Sequence, residues 1–135
     1  MAGIVRLSAI WNKILALFAF ITATQEMAGN QHAQAYHSFF FGVFLLYTSA
    51  TLMLAARDLP QRASIVFWEG YLRFAAALIL VTLGPNAIGP VAWPLAMADF
   101  AWGVIYQAGL CRVYSKSYLQ LLLDQSVEIN PAPAT

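Results

Sequence analysis

Four apolar stretches, each of about 20 residues, occupy most of this chain and constrain its fold more than any other feature. A bilayer core of about 30 Å needs about 20 mainly apolar residues to cross it as an α-helix. The stretches that approach this length lie at residues 7–27, 36–56, 63–83 and 91–111. The sequence therefore predicts an all-α integral membrane protein with four transmembrane helices.

Composition and charge agree with this class. Of the 135 residues, 61% are hydrophobic and 10% are charged, whereas about 25% of the residues in soluble domains are charged. The net charge is only +1 and there is no basic run, which argues against nucleic acid as a partner. The single cysteine, Cys111, cannot form a disulfide within the chain and has no Cys/His neighbours typical of a zinc site.

Short segments with helix-breaking residues connect the predicted helices, at residues 29–31, 57–60 and 84–90. Connections of this length predict an antiparallel, up-and-down four-helix bundle. We assign residues 1–126 to a single transmembrane domain, in which residues 112–125 extend the fourth helix or form a helix at the membrane surface. Residues 127–135 are predicted to be a disordered tail. No internal repeat is evident from the sequence.

The positive charges lie on one side of this arrangement, at Arg6, Arg57, Arg62, Arg112 and Lys116. The two connections on the opposite side contain no Lys or Arg. Positive residues close to the ends of spans are retained on the cytoplasmic side. Both termini are therefore predicted to be cytoplasmic.

The first helix has an alternative interpretation as a secretory signal peptide. Arg6, the apolar residues 14–20 and the small residues Ala23 and Thr24 follow the order of the three regions of such a peptide. Cleavage there would leave three spans and place the new N-terminus outside the cytoplasm. Ile21 fits the position before the cut poorly, so we favour four spans.

Ionisable residues lie inside the third and fourth predicted helices. Arg73 is near the middle of the third and Asp99 near the middle of the fourth. Because the two helices run antiparallel around a loop centred near Ala87, residues equally distant from that loop share a depth in the membrane. Arg73 and Asp99 are therefore predicted to be in contact. Glu69 precedes Arg73 by four residues and lies on the same helical face.

We name Glu69, Arg73 and Asp99 the charge cluster, and it has two interpretations. A lone charge at mid-bilayer costs at least about 2.5–3.5 kcal/mol, so opposite charges are expected to pair. The cluster is either a structural clamp between the third and fourth helices, or a polar centre for a proton, an ion or a ligand. Lys13, at a depth similar to that of Glu69, either joins the cluster or extends its side chain to the headgroups.

Signals for metal binding or catalysis are weak. Glu26, His32 and His37 lie in or beside the first connection and are the candidate metal ligands, but histidines five residues apart diverge on a helix. The sequence contains no HExxH motif, nucleophile elbow or phosphate-binding loop. We therefore assign no catalytic residue and no cofactor.

A resemblance to a known group is carried by residues 42–47, by residues 56–62 and by Arg73 in the next span. These residues resemble small, uncharacterised bacterial membrane proteins with four helices, loosely grouped with the DoxX-like families. The resemblance implies a four-helix bundle of the bacterial inner membrane, and some such proteins are subunits or accessories of redox systems. It carries over no catalytic or cofactor residue.

Three functions remain open from the sequence. The first is a non-catalytic accessory or structural subunit of a larger membrane complex, with other membrane subunits or further copies of this chain as partners. The second is a small oligomeric transporter or lipophile-binding protein that uses the charge cluster as its polar centre. The third is an intramembrane enzyme acting on a lipophilic substrate, with Glu69 as proton donor.

Overall fold

The computed structural model describes residues 1–115 and 117–123. These residues form six α-helices and one short 3-10 turn at Gly89–Val91, and they contain no β-strand. The helices are α1 (Ala2–Ala28), α2 (His32–Ala55), α3 (Ala63–Thr82), α4 (Gly84–Ile88), α5 (Ala92–Tyr114) and α6 (Tyr118–Leu122). The predicted disordered tail, residues 127–135, lies outside the described residues.

Four helical segments are long and apolar enough to cross a membrane. They are α1, α2, α3 and the segment Gly84–Tyr114, which joins α4, the 3-10 turn and α5. This confirms the predicted all-helical chain with four apolar helices. The first helix begins at Ala2 rather than at residue 7, because residues 2–6 continue the same helix.

The connection predicted at residues 84–90 is largely helical. Pro85 lies in the first turn of α4, where the missing N–H would have no partner within the helix. Gly89 ends α4 with a φ of 71°, a backbone conformation that glycine adopts without the strain of a side chain. The turn between α3 and α5 is therefore a short helix followed by one tight bend.

The predicted extension of the fourth helix is interrupted. α5 ends at Tyr114, and Ser115 takes a left-handed conformation with a φ of 51°. A new helix, α6, follows and begins with a capping box in which the Ser117 hydroxyl accepts from the Gln120 backbone N–H. Of the two expectations for residues 112–125, the extension of the fourth helix ends at Tyr114, and a separate helix follows at Tyr118–Leu122.

The chain divides into two compact units, Met1–Leu59 and the residues from Pro60 onward. Each unit is a hairpin of two long helices, and we name them the first and the second hairpin. In the first, α1 packs on α2, and the residues that meet are increasingly far from the turn: Glu26 with Ser38, Phe20 with Gly42, and Asn12 with Thr48. In the second, α3 packs on α5 and α6 packs on α3.

The two hairpins repeat one packing pattern. The ring of Phe20 lies 2.7 Å from where a Cβ of Gly42 would be, and the ring of Phe74 lies 2.7 Å from the same position at Gly103. A second phenylalanine ring contacts each of these, Phe39 at 6.0 Å from Phe20 and Phe100 at 5.5 Å from Phe74, measured between ring centroids. Each hairpin thus stacks two phenylalanines beside a glycine.

The same pattern is present in the sequence once the structure gives the alignment. Ala35, Phe39, Gly42 and Val43 in α2 have the spacing of Ala96, Phe100, Gly103 and Val104 in α5. Ala9, Phe20 and Ala23 in α1 likewise match Ala63, Phe74 and Ala77 in α3. The two hairpins thus share residues at a few matched positions, and the expectation of no internal repeat stays a prediction. The identical residues are few and of common apolar types, and the glycines and phenylalanines among them make helix contacts.

Candidate functional site

The charge cluster begins on one face of α3. Glu69 and Arg73 are four residues apart and are both buried, with 9% and 5% of their surface exposed. Between them Gly70 allows α5 to come close, because a Cβ there would lie 3.1 Å from Cγ of Gln107 and 3.4 Å from the Gly103 carbonyl oxygen. Small residues at such contacts are typical of helix pairs in membranes.

Asp99 on α5 completes the cluster. Nη1 of Arg73 donates a hydrogen bond to Oδ1 of Asp99 at 2.5 Å. Nε of the same guanidinium lies 3.6 Å from Oε1 of Glu69. The contact predicted between Arg73 and Asp99 is confirmed, and the planar guanidinium is placed beside both carboxylates.

The face of α5 that carries Asp99 consists mainly of small, buried residues. Ala92, Ala96, Gly103 and Tyr106 share its spacing, and all four are buried. This face packs against α3, so the ion pair joins two helices that already approach closely. Chemically, the cluster places one positive charge beside two acids and connects α3 to α5 through the bond of Arg73 with Asp99.

Lys13 has a different environment. It lies on an exposed part of α1, in the first hairpin. Its neighbour Asn12 is buried instead and donates from Nδ2 to the Thr48 hydroxyl at 2.9 Å, which donates in turn to the Leu45 carbonyl oxygen. The Ser49 hydroxyl donates to the carbonyl oxygen of Ala9 at 2.7 Å. The helices of the first hairpin are thus joined by neutral hydrogen bonds, whereas those of the second are joined by an ion pair.

The candidate metal ligands are not assembled into a site. Glu26 accepts a hydrogen bond from the Ser38 hydroxyl at 2.7 Å. His32 and His37 are both exposed on α2. In residues 1–115 and 117–123, no group of three His, Cys, Asp or Glu side chains is placed to hold a metal ion.

A groove of about 950 Å³ lies between α3 and α5, on the turns next to the charge cluster. Its lining is apolar and comes entirely from these two helices: Phe74, Ala77, Leu78, Val81, Trp93, Ala96, Met97, Phe100 and Ala101. Phe74 and Phe100 follow Arg73 and Asp99 directly in sequence. The two rings therefore lie at the end of the groove that is closest to the ion pair.

The second hairpin therefore brings together a buried charge cluster and an apolar groove. The sequence pointed to the charges but not to the groove, whose alanines and large apolar side chains look like any lipid-facing helix. The DoxX-like resemblance stays a prediction. The chain matches no protein-family model, and no curated protein and no solved structure is similar to it.

Proposed function

We propose that this chain is a non-catalytic accessory or structural subunit of a larger membrane protein complex in the bacterial inner membrane. In this proposal the charge cluster clamps α3 to α5 and gives the second hairpin a fixed shape. The observation that carries it is the hydrogen-bonded ion pair of Arg73 with Asp99, buried beside Glu69.

The environment of the charge cluster supports a structural clamp rather than a site that passes on protons or ions. Groups that move protons or ions face a water-filled path or one another in series. Here the Arg73 side chain is only 6% exposed, and the adjoining groove is apolar. A guanidinium stays protonated, so Arg73 is a fixed charge rather than a proton carrier. A fixed cation between two acids is an arrangement that holds helices together.

The outer surface of both hairpins supports a role within an assembly. Large apolar side chains such as Phe40, Tyr47, Leu78 and Met97 are exposed along the helices. In a bilayer these side chains face lipid or neighbouring helices, and helix association there depends on close packing. The connections between the long helices are short, so the helix faces are the main surfaces available for a partner.

Purification from native membranes tests this function. We expect extraction in mild detergent to recover the chain with another membrane protein in fixed stoichiometry, identified by mass spectrometry. The Asp99→Asn variant, which weakens the contact between α3 and α5 but leaves Arg73 beside Glu69, should recover less of the partner. Recovery of the wild-type chain only as free monomer would contradict the proposal.

We further propose an antiparallel four-helix bundle with both termini in the cytoplasm. The positions of Arg6, Arg57, Arg62 and Arg112, all exposed, support this orientation through the positive-inside rule. Alkaline phosphatase needs disulfides and so is active only outside the bacterial cytoplasm. Fusions after Asn30 and Asn86 should be active, and fusions after Arg62 and at the C-terminus inactive. The reverse pattern would overturn the orientation.

A further inference from the structure

The short helix α6 contacts α3 well inside the end of that helix. Tyr118 packs on Phe67 with ring centroids 4.8 Å apart, and its hydroxyl forms a hydrogen bond with the hydroxyl of Tyr71. Phe67 and Tyr71 are four and eight residues after Ala63, where α3 begins, or about 6 Å and about 12 Å along the helix axis. α6 therefore lies beside the apolar span of α3.

The length of α3 indicates how deep this contact is in a membrane. α3 has 20 residues, or about 30 Å of helix, and a bilayer core is also about 30 Å thick. Little of α3 is left to project beyond the core at either end. Helices bound at a membrane surface lie about 5–10 Å into the boundary between headgroups and acyl chains. The contact between α6 and α3 falls close to this depth.

Three aromatic rings that each carry a polar atom meet at the same level. The ring centroids of Trp68 and Tyr71 are 5.4 Å apart, and those of Tyr71 and Tyr118 are 6.3 Å apart. Trp68 and Tyr118 are both exposed. Tryptophan and tyrosine concentrate where the hydrocarbon meets the headgroups of a bilayer. These rings therefore indicate the membrane boundary independently of the length of α3.

The polar side chains of residues 117–123 all have partners within the protein. Ser117 and Gln120 accept hydrogen bonds from each other's backbone N–H, at 3.2 and 2.8 Å. Tyr118 bonds to Tyr71, and the other four residues are leucines. A polar group without a partner is costly to bring into hydrocarbon. The polar side chains of this segment avoid that cost.

The leucines of α6 have two different environments. Leu121 is 1% exposed, whereas Leu119 and Leu123 are both more than half exposed. The Leu123 N–H donates to the Leu119 carbonyl oxygen at 3.0 Å, so these two side chains lie one above the other on the same side of the helix. We name Leu119 and Leu123 the outer face of α6. Within the part of the chain that the structure describes, no residue covers it.

We propose that the outer face of α6 anchors the chain in one leaflet of the membrane, and that its partner is the phospholipid acyl chains just below the headgroups. Leu121 holds α6 on the second hairpin, and Leu119 and Leu123 contact the acyl chains. The sequence left open whether residues 112–125 meet the membrane surface. The structure adds the helix, the side of it that faces lipid, and its depth beside α3. The anchor does not depend on the accessory role.

The test measures what surrounds the outer face, because near the headgroups a charge is tolerated far better than at mid-bilayer and a charged variant would reveal little. The full-length chain is reconstituted in liposomes of phosphatidylethanolamine and phosphatidylglycerol. Cys111 is first replaced by Ser, and one nitroxide label is attached through Leu119→Cys or Leu123→Cys. Power-saturation EPR then measures collisions of the label with oxygen, which dissolves in hydrocarbon, and with a water-soluble nickel chelate.

At both positions we expect the oxygen collision rate to exceed the chelate collision rate several-fold. Gln61→Cys is the control for water, because Gln61 is exposed in the connection before α3, and there the chelate should dominate. Leu72→Cys is the control for lipid, because Leu72 is exposed near the middle of α3, and its oxygen excess should be larger than that of the outer face. Circular dichroism of each labelled protein checks that the helices are intact.

Two results would overturn the proposal. Chelate collisions at positions 119 and 123 as frequent as at position 61 would place the outer face in water. Low collision rates with both reagents would show that protein covers it, either another chain or a second copy of this one. Because both labels replace exposed leucines, a failure of one variant to fold leaves the other to decide.

Discussion

Replacing Arg73 by Met is expected to reduce the recovery of folded protein sharply. The substitution leaves the buried carboxylate of Glu69 and the partly buried carboxylate of Asp99 without the guanidinium that lies beside both. Removing one partner from a buried ion pair typically costs about 3–5 kcal/mol, a large part of the about 5–15 kcal/mol that stabilises a typical protein. Monodispersity in detergent, together with the helix content after extraction, measures the loss.

Variants of the two acids should have graded and smaller effects. Asp99→Asn still leaves Arg73 beside Glu69, and Glu69→Gln still leaves the shorter contact with Asp99. Replacing all three residues by Leu or Met should recover much of the stability, because an apolar set of similar volume removes every buried charge.

Arg112→Met is the control for Arg73→Met, since Arg112 is exposed at the end of α5. Normal folding of Arg73→Met would contradict the clamp.

The second large effect is expected for Leu121→Asp in α6. Leu121 is 1% exposed, and Tyr118 in the same helix packs against Phe67 with ring centroids 4.8 Å apart. The Tyr118 hydroxyl also forms a hydrogen bond with the hydroxyl of Tyr71. A charge at position 121 replaces a contact worth about 1.5–3 kcal/mol and should release α6 from α3.

Hydrogen exchange at the Leu121 and Leu123 backbone amides measures this release. These N–H groups donate to the Ser117 and Leu119 carbonyl oxygens, so exchange should become fast when α6 leaves α3. Leu119→Asp is a matched control on the same helix, because Leu119 is 61% exposed. Similar exchange in the two variants would show that α6 is not held by its buried leucine.

The contact of Arg73 with Asp99 could be predicted from sequence because two simple rules apply to it. Short connections make consecutive helices antiparallel, and residues equally far from a turn then lie at the same depth. A charged residue in a long apolar stretch is easy to recognise, so only a few residues have to be considered as partners in an ion pair. Spacing along one helix likewise identified Glu69.

The bond between Asn12 and Thr48 was missed although the same rule would have found it. Both residues are 18 positions from Asn30, in the turn between α1 and α2. Neutral polar residues attract less notice than charges, because a hydroxyl can bond to its own helix at little cost. The groove and the break at Ser115 could not be predicted, since each depends on side-chain packing or on local capping.

The distance along the chain between Arg73 and Asp99 sets an order of events during synthesis. Asp99 follows Arg73 by 26 residues, and at about 5–20 residues per second it is made about one to five seconds later. By then α3 already contains a balanced pair, Glu69 with Arg73. α5, by contrast, would bring Asp99 into the bilayer as a lone acid if Arg73 were not already there to pair with it. We therefore expect the integration of α5 to depend on α3, which is made earlier.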